Sequence, residues 1–277
     1  MTRILVVEAN PLAVRQRAAA LRIPAGAELY TRAIAAIAPQ ISCDIIYAAD
    51  TDRPLAAGTS LADYAGLVIG GSALHAYSSE PEVLRQLQFL HAVGEVGLPI
   101  LGSCWGLQLA ALAAGGEVRN NPRGREIGLA RKIVPTEAGR AHPLLAGRSD
   151  SYDALCIHYD EVSRLPPGAV VLASNSHSAV QVAAFTLGRS SVWAVEYHPE
   201  FDLPQLAALF KLYRDDLVAQ GFASGPPQLD HYIAAWDALA ANPANEGLAW
   251  QLGIDNDVLN DQVRRTEIAN WLQQFAR

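Results

Sequence analysis

The stretch Leu101-Gly102-Ser103-Cys104-Trp105-Gly106-Leu107-Gln108 decides the fold. The apolar residues 97–102 favour a short buried strand, and residues 107–114 favour a helix, so the cysteine stands in a strand-to-helix turn. The glycines two positions before and after it match the spacing of a nucleophile elbow, where small residues relieve crowding around a strained backbone. At a helix N-terminus, the helix dipole favours the reactive thiolate. The other cysteines, Cys43 and Cys156, form no metal-ligand spacing with Cys104 and are predicted to be core residues.

Strand-like and helical patterns alternate along the first part of the chain. Strands are predicted at 3–8, 43–48, 66–69 and 192–196, and helices at 27–38 and 80–96. This alternation predicts an α/β fold with three αβα layers around a mainly parallel central sheet. In such folds, binding and active sites lie at the carboxyl ends of the strands. Residues 118–172 contain short runs broken by Pro, Gly and Asp, and indicate an antiparallel or loop-rich section.

The chain is predicted to become helical after residue 204. Three apolar stripes at helical spacing follow, the third starting near Asp255 or Asp257 as a cap. We therefore predict one domain over residues 1–204 and a C-terminal helical extension over 205–277, packed on or beside it. The extension is expected to cap the site, form a subunit contact or extend the core, and a homodimer is one alternative.

Composition limits the classes of function. The chain has 277 residues, 51% of them hydrophobic, and a formal net charge of −7. No basic run indicates nucleic-acid binding, and no apolar stretch reaches the roughly 20 residues that a membrane span needs. Because the N-terminus also lacks a signal-peptide pattern, we expect a cytoplasmic protein with a small-molecule substrate.

A cysteine nucleophile needs a base and a group that orients the base. His198 and Glu200 are the best candidates, because they lie two residues apart where the last predicted strand ends. A metal site is disfavoured, since no further His or Cys lies at ligand spacing. The oxyanion of a carbonyl substrate also needs donors, and the strand ending in Gly70-Gly71-Ser72 offers backbone N–H groups.

These motifs, in this order, resemble the class I glutamine amidotransferases with a Cys-His-Glu triad. The resemblance covers roughly residues 1–203 and is most similar to the glutaminase domain of GMP synthase and its stand-alone relatives. It also includes Asn121-Pro122-Arg123-Gly124-Arg125-Glu126-Ile127-Gly128 and His158-Tyr159-Asp160-Glu161-Val162. It implies a flavodoxin-like fold and a reaction without a cofactor.

The resemblance implies a role for each matched residue. Cys104 would attack the γ-amide carbon, His198 would carry the proton, and Glu200 would orient His198. Backbone N–H groups of Gly71 and Trp105 would hold the oxyanion. The residues implied in substrate binding are Gly70, Ser72, Gln108, Tyr159 and Asp160. Trp105 departs from the more usual Phe, Leu or Tyr, and residues 72–75 depart from the usual Gly-Pro-Gly sequence.

Three functions fit these residues. The first is a glutaminase that forms a γ-glutamyl thioester on Cys104 and passes ammonia to a synthetase partner. The second is a stand-alone hydrolase of γ-glutamyl amides or peptides, which needs no ammonia acceptor. The third, disfavoured by the intact triad, is an inactive binding protein on the same fold.

Overall fold

The computed structural model describes residues 2–276. These residues contain eleven β-strands. They are β1 (Arg3–Val7), β2 (Ser42–Ile46), β3 (Gly66–Ile69), β4 (Ile100–Ser103), β5 (Glu117–Asn120), β6 (Glu126–Pro135), β7 (Tyr152–His158), β8 (Asp160–Arg164), β9 (Val170–Ser174), β10 (Val182–Leu187) and β11 (Ser190–Val195). Nine of them form one sheet in the order β2-β1-β3-β4-β11-β10-β9-β6-β7, and β5 pairs separately with β8.

Twelve α-helices surround the strands of the described residues. They are α1 (Leu12–Ala20), α2 (Gly26–Ile37), α3 (Pro81–Val96), α4 (Trp105–Ala113), α5 (Glu137–Ala141), α6 (Leu203–Leu212), α7 (Arg214–Ala219), α8 (Pro226–Ala241), α9 (Glu246–Leu252), α10 (Asn256–Leu259), α11 (Asp261–Arg264) and α12 (Thr266–Phe275). Among residues 2–276, no helix is long and apolar enough to cross a membrane.

The sheet has a parallel half and an antiparallel half. Strands β2, β1, β3, β4 and β11 run parallel, whereas β10, β9, β6 and β7 pair antiparallel. The parallel half confirms the predicted α/β fold, and β5 to β9 confirm the antiparallel character of residues 118–172. The turn that holds Cys104 lies in the parallel half, because β4, which precedes it, pairs with both β3 and β11.

Helices cover both faces of the parallel half. Leu5 and Val7 of β1 pack in one cluster with residues of α3 and α4. Ile4 and Val6 point the other way and pack with residues of α2 and α12. This alternation follows from the two-residue period of a strand whose two faces are both buried. The three predicted layers are therefore present.

The helices after residue 204 share hydrophobic clusters with the strands. Phe210 of α6 and Trp236 of α8 pack with Leu155 of β7. On the other side, Trp271 of α12 lies against Gly66, where an added Cβ would come within 2.3 Å of the indole ring. The helices after residue 204 thus pack on the sheet, and the division of the chain at residue 204 stays a prediction.

Two helical regions differ from the sequence-based expectation. Helix α1 was not predicted, because it has no buried residue and so carries no apolar stripe. The third predicted C-terminal helix is three helices, α10 to α12. Asp255 caps α10 as expected, but Asn260 ends it and caps α11 through its side chain.

Candidate active site

Cys104 lies in a strained elbow between β4 and α4. Its φ is 50° and its ψ is −105°, a conformation that non-glycine residues rarely adopt. The neighbouring glycines are required sterically: a Cβ on Gly106 would lie 2.2 Å from the Ile69 carbonyl oxygen, and one on Gly102 would lie 2.7 Å from the Gly106 carbonyl carbon. The predicted nucleophile elbow is confirmed.

His198 and Glu200 form a buried pair beside the elbow. The His198 Nδ1 lies 2.7 Å from Glu200 Oε1, and both side chains are at most 2% exposed. Since a carboxylate accepts, Nδ1 is the donor. The His198 ring also stacks on Phe201, with centroids 3.9 Å apart. Its Nε2 is buried and has no hydrogen-bond partner among residues 2–276, so it is free to accept a proton.

The Cys104 thiol is held in its protonated form. Burial raises its pKa, and the nearby Glu196 and Glu200 carboxylates act in the same direction, while the Trp105 N–H lowers it. The Sγ donates to the Ile157 carbonyl oxygen at 3.5 Å. The expected stabilisation of the thiolate by the helix N-terminus is therefore outweighed by burial, and the thiol needs a base to lose its proton.

Gly71, in the predicted oxyanion strand, packs against the His198 ring. A Cβ on Gly71 would approach His198 Cε1 to 2.7 Å. Trp105, the other predicted donor, buries its indole and donates from Nε1 to Gln86 Oε1 at 3.1 Å. The tryptophan therefore packs behind the elbow and does not narrow the cleft. The oxyanion role of both N–H groups stays a prediction.

We expect the Gly71→Ala variant to lose about 100-fold in kcat, because the methyl group displaces the His198 ring and the neighbouring N–H group. The matched control is Gly247→Ala, where the nearest atom to the added Cβ is Asn245 Oδ1 at 3.5 Å. Steady-state kinetics on both variants check this. Wild-type kcat for Gly71→Ala would exclude close packing of Gly71 on the base.

Of the predicted substrate-binding residues, Ser72, Gln108, Tyr159 and Asp160 line the same cleft as Cys104 and His198. Gly70 is not among the lining residues; its Cβ position is 3.2 Å from the Tyr30 ring and 3.8 Å from Glu200 Oε1, and its role in substrate binding stays a prediction. The Ser72 hydroxyl donates to the Ala9 carbonyl oxygen at 3.1 Å and so ties its loop to the end of β1.

The Gln108 amide is oriented by two acceptors. Its Nε2 donates to Glu196 Oε1 at 2.6 Å and to the Asp160 carbonyl oxygen at 3.3 Å. Both amide hydrogens are thus used, which leaves the amide oxygen as the group that can accept from a substrate ammonium. The Asp160 carboxylate is held separately, by His75 Nδ1 at 2.7 Å and Tyr77 at 3.2 Å.

A buried ionic network supports this wall of the cleft. His158 donates from Nδ1 to the Asp160 carbonyl oxygen at 2.9 Å, and its Nε2 lies 2.8 Å from Glu126 Oε2. Burial lowers the pKa of His158, but Glu196 and Glu126 outweigh it and raise the pKa to about 9. Burial raises the pKa of Glu196 to about 8, against the opposing effects of His158 and Gln108. This network could not be predicted from sequence spacing, because its residues come from different strands and are far apart in the chain.

Stability is expected to fall as the pH rises from about 4.5 to 9. The folded-state pKa values of Glu196 and His158 both lie above those of the unfolded chain, so the folded protein binds more protons. The contribution is complete below the ordinary pKa of each group and is lost as the pH passes through about 8 and 9. We expect a loss of a few kcal/mol, measured by denaturant unfolding. The Glu196→Gln variant should show a shallower slope, and a flat wild-type profile would contradict the ionic network.

The cleft is large, with a volume of about 980 Å³. Three walls come from the predicted domain: the loop at residues 71–75, the elbow, and residues 157–160. Helix α1 and the start of α2, in the same predicted domain, also line the cleft, and α6 and α7 of the C-terminal extension add a further wall that includes Leu209, Leu212 and Tyr213. Sequence reasoning did not find these residues, because their apolar spacing also fits ordinary core packing.

Comparison with known proteins identifies the family to which this chain belongs. The family model of glutamine amidotransferase class-I matches residues 30–211. The chain belongs to the class-I glutamine amidotransferase family. A γ-glutamyl-L-1-hydroxyisopropylamide hydrolase from a Pseudomonas species is 35% identical over 241 residues, which cover 85% of this chain and 80% of that protein.

Further relatives of this class-I amidotransferase are larger enzymes or solved structures. A GMP synthase from Symbiobacterium thermophilum is 38% identical over 109 residues, which cover 39% of this chain but only 20% of that protein. A glutamine amidotransferase structure from Thermotoga maritima covers 100% of this chain and 98% of its own, with a TM-score of 0.64 and 17% identity. At that identity the structural match shows the shared fold.

Proposed function

We propose that the protein hydrolyses γ-glutamyl amides whose amine is larger than ammonia, through a thioester on Cys104. The observation that carries the proposal is the free, buried Nε2 of His198 in the same cleft as the Cys104 thiol. Because Nδ1 is committed to Glu200, Nε2 is the only ring atom left to exchange a proton. An inactive binding protein would not need this arrangement.

The reaction takes two stages. His198 Nε2 accepts the Cys104 proton as sulfur attacks the γ-carbonyl carbon, and the N–H groups of Gly71 and Trp105 stabilise the oxyanion. The imidazolium then protonates the leaving nitrogen, the C–N bond breaks, and the amine departs. Water next gives a proton to His198 and attacks the thioester. The C–S bond breaks, glutamate leaves and Cys104 regains its proton.

The γ-glutamyl group is held by the residues beside the elbow. The Gln108 amide oxygen accepts from the substrate α-ammonium, since both amide hydrogens are already used. Main-chain groups at Tyr159 and Asp160 bind the α-carboxylate. Preorganisation by Glu196 and His158 lowers the cost of orienting these groups when substrate binds.

The size of the cleft favours a substituted amide over glutamine. Its volume of about 980 Å³ is near the upper end of the roughly 300–1,000 Å³ of clefts that take drug-sized ligands. The hydrolase from Pseudomonas, which aligns with most of this chain, is named for a γ-glutamyl amide of that kind. Similarity to GMP synthases supports a second candidate, a glutaminase with a synthetase partner, but those matches include only a part of each enzyme.

Glutamate release from glutamine and from γ-glutamyl-1-hydroxyisopropylamide tests the proposal. We expect kcat/KM to be about 10-fold or more higher for the substituted amide, because its amine contacts the additional walls of the cleft. A preference for glutamine would instead support the glutaminase with a partner. The Cys104→Ala variant distinguishes turnover at this site from contaminating activity.

A further inference from the structure

Three arginines at the cleft have no carboxylate partner. Arg17 near the end of α1, Arg22 just after it, and Arg125 before β6 all line the cleft, and none forms an ion pair with a carboxylate of residues 2–276. The two other arginines of the lining are neutralised, Arg15 by Asp50 and Arg32 by Glu28. The guanidinium groups of Arg17, Arg22 and Arg125 are therefore the arginine charges of the cleft that no carboxylate among the described residues neutralises.

Arg125 is held in place without losing its charge. Its guanidinium carbon lies 4.7 Å from the ring centre of Tyr213 and 5.3 Å from that of Tyr159. Its Nε donates to Gln220 Oε1 at 3.1 Å, and no other hydrogen bond of its guanidinium is made to residues 2–276. The terminal nitrogens therefore remain available, in the fork geometry that suits a carboxylate.

Arg17, on α1, also lines the cleft, and its charge acts on the same tyrosine as that of Arg125. Burial raises the pKa of the Tyr213 hydroxyl, while the charges of Arg125 and Arg17 both lower it. Asp216, on the same side of the cleft, is an acidic residue without an ion-pair partner among residues 2–276, and it offsets one of the three positive charges. The carboxylates of Glu8, Asp160 and Glu200 also line the cleft, so the positive charge is local to the arginines and is not a net charge of the whole cleft.

We infer that Arg125 and Arg17 form a subsite for a carboxylate carried by the amine part of the substrate, so that the preferred substrates are γ-glutamyl amino acids. The inference rests on the proposed function. Arg125 lies within residues 30–211, the segment that the family model matches, whereas Arg17, Tyr213 and Gln220, which complete the subsite, lie outside it. Residues outside the shared segment are suited to the part of the substrate that differs between family members, which is the amine.

A pair of nearly isosteric substrates tests the subsite. γ-Glutamyl-alanine and γ-glutamyl-1-hydroxyisopropylamide differ only in a carboxylate or a hydroxymethyl group on the amine. We expect wild-type kcat/KM to be roughly 10- to 100-fold higher for γ-glutamyl-alanine, as for a charged hydrogen bond. In Arg125→Gln and Arg17→Gln this ratio should fall towards one, and Arg125→Lys should keep part of it. The control Arg53→Gln changes an exposed arginine outside the cleft and should keep the ratio.

Two results would overturn the inference. One is a wild-type enzyme that does not favour γ-glutamyl-alanine. The other is an equal fall in kcat/KM for both substrates in Arg125→Gln, which would indicate that Arg125 binds the α-carboxylate that the two substrates share. Calorimetric binding of both substrates to Cys104→Ala separates failure of the subsite from failure of the proposed function. If the wild type hydrolyses neither substrate but Cys104→Ala binds γ-glutamyl-alanine more tightly than γ-glutamyl-1-hydroxyisopropylamide, the subsite is upheld and only the proposed hydrolysis is refuted.

Discussion

The Cys104→Ala variant is expected to lose at least about 10⁴-fold in kcat for γ-glutamyl amide hydrolysis, because no other group replaces the nucleophile. The residual rate would come from the oxyanion donors and from substrate orientation alone. Steady-state glutamate release measures the loss, and the thermal midpoint should stay close to wild type, since alanine removes only a sulfur atom from the elbow.

Cys43→Ala is the matched control for this prediction. Cys43 is a half-buried thiol outside the cleft, and burial and the Asp44 charge raise its pKa to about 11. It should keep wild-type kinetics. Acid quenching of wild-type enzyme during turnover should leave a γ-glutamyl adduct on Cys104, detectable by mass spectrometry. An adduct elsewhere, or activity retained in Cys104→Ala, would refute the thioester.

The Glu267→Ala variant is expected to lose about 3–5 kcal/mol of unfolding free energy, because it leaves a buried arginine unpaired. Arg148 binds Glu267 through two hydrogen bonds of 2.7 Å, and the two side chains are 2% and 0% exposed. Glu267 also accepts from Tyr197 at 2.7 Å, directly before His198 in the chain. The pair thus joins α12 to the strand that ends at the base.

Chemical denaturation measures this loss against two comparisons. Asp237→Ala removes a partner from the exposed Lys211–Asp237 pair and should cost less than about 1 kcal/mol. The double variant Arg148→Met/Glu267→Leu removes both buried charges and should recover most of the loss in Glu267→Ala. A double variant no more stable than Glu267→Ala would show that packing of α12, and not the unpaired charge, determines the cost.

The core of the candidate site was predictable because its signals are local. Gly102, Cys104 and Gly106 fix a turn through backbone sterics, and His198 and Glu200 lie two residues apart at a strand end. The structure brings them to the edge where parallel strands β4 and β11 end together. The resemblance could not show the packing around Gly70, whose Cβ position lies 3.2 Å from the ring of Tyr30, a residue 40 positions earlier in the chain.

The sequence by itself determined the parallel strands, the elbow and the order of the triad, because strand alternation, helix periodicity and glycine sterics act over a few neighbouring residues. Only the tertiary structure decided what surrounds them. The arginines of the cleft, the Arg148–Glu267 pair and the His158 network join residues far apart in the chain, and each residue alone looks like an ordinary surface or core position. The electrostatic effect of each charge depends on its burial and on its partners in the folded structure, and neither can be read from a local sequence pattern.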